Sequence, residues 1–203
     1  GYEMNKSVTV ILNGYKRKDN LNEQLEAIRN QSVKVDSVML WYNYPGDDKY
    51  VNYDIMSEIP TAYSNVNMGV WARFAYALNA ETEYVCIFDD DTIPGRRWIE
   101  NCLNTIDKHN GLLGTVGLLY TIPAPPEKSS YFEHYLRFGW THNNTRTQEV
   151  DLVGHSWFFK KEWLSAYWRE LPHSKFKTCG EDMHFSIMLQ KYLGLKTYVP
   201  PHP

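Results

Sequence analysis

The sequence predicts an α/β fold with a central, mostly parallel mixed sheet flanked by helices. Two observations predict it. Short β-branched, apolar runs alternate with amphipathic stretches through the first half of the chain, the pattern of parallel strands joined by right-handed crossovers. The length of 203 residues, 43% of them hydrophobic and 22% charged, suits one domain, residues 1–203, with a substantial core. In such sheets ligands sit beyond the carboxyl ends of the strands.

Each element has its own justification. The run SVTVILN, from Ser7, reads as a buried first strand. Asn20 with Glu23 three residues on resembles a capping box, and Leu21, Leu25 and Ile28 form the apolar stripe of a helix ending near Gln31. SVMLWYN is the second strand, followed by a polar, Tyr-rich loop through Pro60. A short strand, TAYS, leads through NVNMG into a helix with Trp71, Phe74 and Leu78 on one face. Tyr84 to Phe88 is a strand, and Pro94 suits the first turn of the next helix, with Trp98, Cys102 and Ile106 inward and Gly111 closing it. GTVGLLY is a strand and TIPAPPEKSS an irregular loop. EVDLVGHSWFF reads as one strand, with a helix from about Lys161 to Glu170. A last helix starts near Glu181, buries Phe185, Met188, Leu189 and Tyr192, and is capped by Gly194 before the strand KTYVP.

Composition excludes several function classes. The net charge is −3 and no Lys/Arg run forms a footprint, so no nucleic-acid partner is expected. No run reaches the length of a membrane span, and no signal peptide precedes the first strand. Cys86, Cys102 and Cys179 are an odd number without CxxC spacing, which fits a reducing, cytoplasmic setting better than a disulfide framework or zinc site. The 15 Tyr, 7 Trp and 8 Phe either fill the core or offer platforms to a sugar or base. The ending YVPPHP has no polar tail, and the chain reads as a domain of a longer protein with further domains C-terminal to it.

The chemistry concentrates in YVCIFDDDTIPG, where a buried strand runs into Asp89, Asp90 and Asp91. Like charges so close repel, and something positive is expected beside them. Hard divalent cations take oxygen ligands, and alternation lets Asp89 and Asp91 share a face with Asp90 turned aside. A solvated acidic turn is the plainer alternative. The DxDx(T/V) motif of haloacid-dehalogenase-type phosphatases is a decoy, since its fifth position here is Ile93 and it normally follows the first strand.

Five segments, in order, carry a resemblance: VTVILNGYKRKDNLNEQLEAIRNQS, NMGVWARF, IFDDDTIP, VDLVGHSWFF and CGEDMHFS. The sequence resembles the GT-A glycosyltransferases, particularly family 2 and its relatives, and among them the N-terminal domain of a multidomain transferase encoded by a chlorella virus. That resemblance implies transfer of a hexosyl or deoxyhexosyl group from a UDP-sugar to a glycan or glycoprotein acceptor, with Mn²⁺ or Mg²⁺ as cofactor. A viral origin would make the location the host cytoplasm. It places Gly14, Tyr15, Arg17 and Asn43 around the base and ribose, and Arg73 near the base or diphosphate. For Arg73 an ordinary surface ion pair is the alternative. Asp89 matches a ribose-contacting or outer metal ligand, Asp91 the direct ligand, and Asp90 part of the nucleotide-sugar site. Asp182 matches the catalytic base of an inverting transfer, with Glu181 the fallback, although a helix macrodipole alone accounts for acids there. His202 is a further metal ligand or an idle terminal residue. Alternation puts His155 and Trp157 on one face with Phe159, lining the sugar pocket or filling the core. The segment 121–148 matches no family pattern and is expected to shape the acceptor site. A retaining transferase and a noncatalytic sugar-binding module remain the rival readings.

Overall fold

The computed structural model of the chain describes residues 6–121, 135–139, 144–172 and 179–201. The parallel half is built as the apolar runs require. β1 (Val8–Gly14) pairs on one side with β2 (Ser37–Asn43) and on the other with β4 (Tyr84–Phe88), and β3 (Thr61–Ser64) extends the edge beside β2. All four run parallel, so their carboxyl ends share one rim. α1 (Lys18–Arg29) covers β1 with Leu21, Leu25 and Ile28 buried.

The second half is mostly antiparallel. β8 (Leu152–Lys160) lies antiparallel between β4 and β5 (Gly111–Tyr120). Beyond β5 come β9 (Lys196–Val199), parallel to it, and β7 (Gln148–Val150), while β6 (Tyr135–Phe138) forms a hairpin-like ladder on β5. Among the described residues this makes one nine-stranded sheet of order β3-β2-β1-β4-β8-β5-β9-β7. α6 (Glu181–Leu193) packs over β8 and β9, burying Phe185, Met188 and Leu189. Phe74, Trp157, Tyr167 and Phe185 meet beneath the sheet's rim with ring centroids 4.8–5.8 Å apart. Burying aromatic rings of this size contributes about 1.5–3 kcal/mol each, and this cluster anchors the elements that carry the site. No helix of the described residues is long and apolar enough to cross a membrane.

Several sequence expectations are corrected. α1 starts two residues before Asn20 and has no side-chain cap, because Asn20 instead donates to the Asp90 carbonyl (3.3 Å). The Tyr-rich loop contains α2 (Tyr53–Glu58), capped by Asn52, whose Oδ1 accepts from Ile55 N at 3.1 Å. α3 (Ala72–Tyr76) tightens into a 3₁₀ turn at Ala77–Asn79, which turns Leu78 out to 50% exposure and Ala77 in. Pro94 stays outside the next helix, α4 (Trp98–Lys108), because the Gly95 carbonyl is tied to Gln31 Nε2 at 2.8 Å. Gly111 does not close that helix but opens β5, where a Cβ would stand 2.3 Å from the Lys196 carbonyl oxygen. EVDLVGHSWFF breaks at Asp151 into β7 and β8, which sit apart in the sheet. The helix expected from Lys161 is a 3₁₀ turn followed by the single-turn α5 (Leu164–Tyr167). His202 and residues 122–130 of the Pro-rich loop lie outside the described residues.

Candidate active site

The site grows from the end of β4. Tyr84 to Phe88 are buried, and the chain leaves the sheet at Asp89, whose N–H donates to the His155 carbonyl (2.9 Å). Gln24, buried on α1, donates through Nε2 to the carbonyls of Asp89 (2.7 Å) and Thr92 (2.8 Å). The acidic turn is thus held from both sides before any ligand arrives. Of its three carboxylates, Asp90 turns aside while Asp89 and Asp91 stay near each other. Asp89 pairs with Arg73, Asp90 with Arg17 at 2.8 Å, and Asp91 accepts from Thr92 Oγ1 (3.1 Å) and lies 3.6 Å from His155 Nδ1. Part of the positive charge that the sequence demanded is therefore supplied by the chain itself. Burial raises the Asp90 carboxyl above the ordinary range, with Arg17 opposing.

Asp89, Asp91 and His155 each offer a ligand atom, and these atoms lie within 4.8 Å of one another. His155 reaches this point through a local irregularity. Between Gly114 and Val116 of β5 the register with β8 shifts, so that one β5 residue faces two of β8. His155 sits in this bulge with φ 66°, the one non-glycine residue of positive φ among the described residues. The bulge interrupts the strict alternation that would put His155 and Trp157 on one face, yet both line the same cleft. Trp157 is 1% exposed with its indole N–H donated to the Val153 carbonyl (3.1 Å), while His155 turns toward Asp91. The histidine's place beside the acids was invisible in the sequence; the Gly154 before it was the one available sign of a bulge.

Across a cleft of about 210 Å³ stands the head of α6. Gly180 enters it with φ 93°, and Glu181 and Asp182 occupy the first turn. Asp182 Oδ1 accepts from Met183 N at 2.7 Å, and its Oδ2 faces Gly154, where an added Cβ would come within 3.8 Å. Burial raises the Asp182 carboxyl, with backbone hydrogen bonds opposing. Glu181 Oε1 pairs with Arg73 at 3.3 Å, yet burial outweighs that cation and pushes this carboxyl up to about 7. Tyr135 and Arg137 of β6 line the same cleft, two residues on one face of their strand that the sequence reading had not singled out.

The remaining expected residues fall into two groups. Tyr15 and Arg17 lie on the loop after β1, with Arg17 exposed and turned to Asp90. Gly14 ends β1 against Tyr42, whose ring a Cβ would meet at 2.8 Å, so packing alone requires a glycine. Asn43 is 4% exposed and fully engaged: Oδ1 accepts from Trp41 Nε1 (3.1 Å) and Met68 N (3.0 Å), and Nδ2 lies 3.4 Å from the Gly69 carbonyl. It braces the loop before α3. Arg73, read from sequence either as a diphosphate ligand or a surface ion pair, is buried between Asp89 and Glu181.

Solved structures share this arrangement of strands and helices. TarS of S. aureus, residues 1–349, in complex with UDP-GlcNAc superposes with a TM-score of 0.65 over 97% of this chain and 56% of its own, at 16% identity. The same TarS segment with UDP gives a TM-score of 0.66, 16% identity, and 97% and 58% coverage. The chain has the GT-A fold. It spans little more than half the length of these TarS structures. No family model matches the sequence, and the search of curated proteins returns no relative. Within the GT-A frame the acidic turn after β4 and the head of α6 face each other at the rim where ligands of α/β sheets gather.

Proposed function

We propose that the chain is a glycosyltransferase domain that moves a hexosyl or deoxyhexosyl group from a UDP-sugar to a hydroxyl of a glycan or glycoprotein, with inversion. One observation carries the reading: of a cation-competent group, Asp89, Asp91 and His155, two members line one cleft with the half-buried acids Glu181 and Asp182 in a GT-A fold. TarS, which shares the fold, was solved with UDP-GlcNAc and with UDP, and this supports a UDP-sugar donor. Two carboxylates and an imidazole suit Mn²⁺, and the carboxylates alone suit Mg²⁺. Asp91 and Asp89, with His155 in reach and His202 as a further ligand, would hold a divalent cation, which would supply Lewis-acid neutralisation of a departing diphosphate.

The chain's own residues supply the rest. Asp182 takes the proton of the acceptor hydroxyl, its raised carboxyl making it a better base than an exposed aspartate. Gly154 leaves room for the reacting hydroxyl beside Asp182 Oδ2. Arg17 and Tyr15 flank the nucleotide, with Asp90 holding Arg17 in place. Asn43 contributes by fixing the loop that passes the base. The wall formed by Tyr135 and Arg137 faces the acceptor. We further place this domain in the cytoplasm, a viral host's if the chain is viral.

The experiment is a screen of UDP-sugars, UDP-glucose and a UDP-linked rhamnose among them, for Mn²⁺-dependent UDP release. Asp91→Ala is expected to lower turnover roughly 10³-fold, the loss of several kcal/mol of charge stabilisation. Turnover unaffected by Asp91→Ala, or by a chelator, would refute the mechanism. NMR of the product's anomeric proton tests inversion.

A further inference from the structure

Arg73 occupies an unusual position for a residue expected at a nucleotide. Its side chain is 3% exposed, and three separate donors are used by the protein. Nε donates to the Val70 carbonyl (3.1 Å), Nη1 to Asp89 Oδ1, and Nη2 to Glu181 Oε1 (3.3 Å). Its flat face lies over Trp157, 4.8 Å from the ring centroid, and 5.4 Å from that of Phe74. The guanidinium therefore joins the end of β4 to the head of α6, which lie 108 residues from Arg73 in one case and 16 in the other.

We infer that Arg73 is a positioning residue: it sets the distance between the Asp89 carboxylate and the acidic head of α6, and does not itself bind the diphosphate. The inference rests on the transferase reading above. Asp89 and Glu181 would otherwise repel across a partly buried gap, and only a doubly branched, planar cation bridges them while stacking on Trp157. Burial by itself would favour loss of the Arg73 proton, but Asp89 and then Glu181 hold it firmly charged. Asp182 follows Glu181 directly, so the aim of the proposed base depends on this strut. A shift of about 1 Å in a reacting group costs on the order of 10²-fold in rate.

The test compares the unmodified chain with Arg73→Lys and Arg73→Ala, after urea unfolding has shown which variants are folded. Calorimetry measures affinity for UDP in the presence of Mn²⁺, and the UDP-sugar assay measures kcat and KM. The expected result is UDP affinity within about threefold of the unmodified chain, a change of well under one 1.4 kcal/mol decade, with kcat lower by on the order of 10²-fold. Guanidinium ion added to Arg73→Ala recovers part of kcat, and ammonium does not. Should Arg73→Ala not fold, Arg73→Lys keeps the cation and loses the bridge, and its combination with Glu181→Gln lowers kcat no further than the worse single change. UDP affinity that falls in step with kcat would overturn the inference, because it would put Arg73 on the diphosphate. Strictly additive losses in the double variant would overturn it too. If the unmodified chain bound no UDP at all, the transferase reading itself would fail, and the strut's catalytic role with it.

Discussion

Asp89 and Asp91 keep 28% and 35% of their side chains exposed, and each has a cation or imidazole beside it. Glu181 keeps 13%, shares its one cation with Asp89, and leaves Oε2 without a hydrogen-bond partner among the described residues. The two sides of the cleft thus use the same functional group in opposite ways. Open, cation-flanked carboxylates are placed where they could hold a divalent cation. Buried, under-compensated ones gain affinity for a proton. The difference teaches that role is set by depth and neighbours rather than by residue type.

The sharpest way to break that comparison is Asp182→Asn. Turnover is expected to fall about 10²–10⁴-fold, the usual worth of general-base help, with UDP affinity preserved. In the unmodified chain the rising limb of the pH–rate profile should stand above that of an ordinary aspartate, because burial raises the Asp182 carboxyl. The variant should lose that limb. If Glu181→Gln removed it and Asp182→Asn did not, the two acids would exchange roles.

His155→Gly sharpens the other side. The left-handed backbone at φ 66° suits glycine better than histidine, so removing the side chain relieves strain as it removes a candidate ligand. Mn²⁺ affinity, followed by electron paramagnetic resonance, is expected to fall about 10–100-fold while Tm holds or rises. Unchanged Mn²⁺ affinity would leave His155 a strained residue with no part in the metal group.

How much of this was legible beforehand differs between the two halves of the sheet. β2, β3 and β4 fall where the sequence puts them; the fully buried apolar run of β4 admits one register in a parallel sheet, whereas β3, TAYS, is an edge strand with no buried residue. The places of Asp89, Asp91 and Asp182 in the fold were legible because a strand end and a helix start fix them. The second half was harder to read. The break at Asp151 depends on strands brought in from elsewhere, Asp151 Oδ2 accepting from Tyr120 N at 2.7 Å. The bulge at His155 is set by pairing with β5, some forty residues away in sequence, and in GHSW only Gly154 hints at it. Arg73 stood out in the sequence but its burial did not, since a helix pattern cannot show that Trp157 and Glu181 will close over it. Gln24 was missed for a similar reason: a polar residue on a helix gives no sign that it will be buried holding a turn 65 residues on.

The smallest expected effect tests the burial of Glu181 through stability alone, in metal-free protein. Its carboxyl moves from the ordinary 4.5 to about 7 on folding. Between those two pH values the folded chain keeps a proton that the unfolded chain releases, so stability falls as pH rises through the window and levels off above it. Glu181→Gln carries no such proton. The Tm of the unmodified chain minus that of the variant should therefore decline from pH 4.5 to about 7, each 1 kcal/mol appearing as about 2–4 °C for a chain of this size. A difference that stayed flat would mean that Arg73 fully compensates Glu181. The acids on the two sides of the cleft would then no longer differ in the way that assigns one side to the proton and the other to the cation.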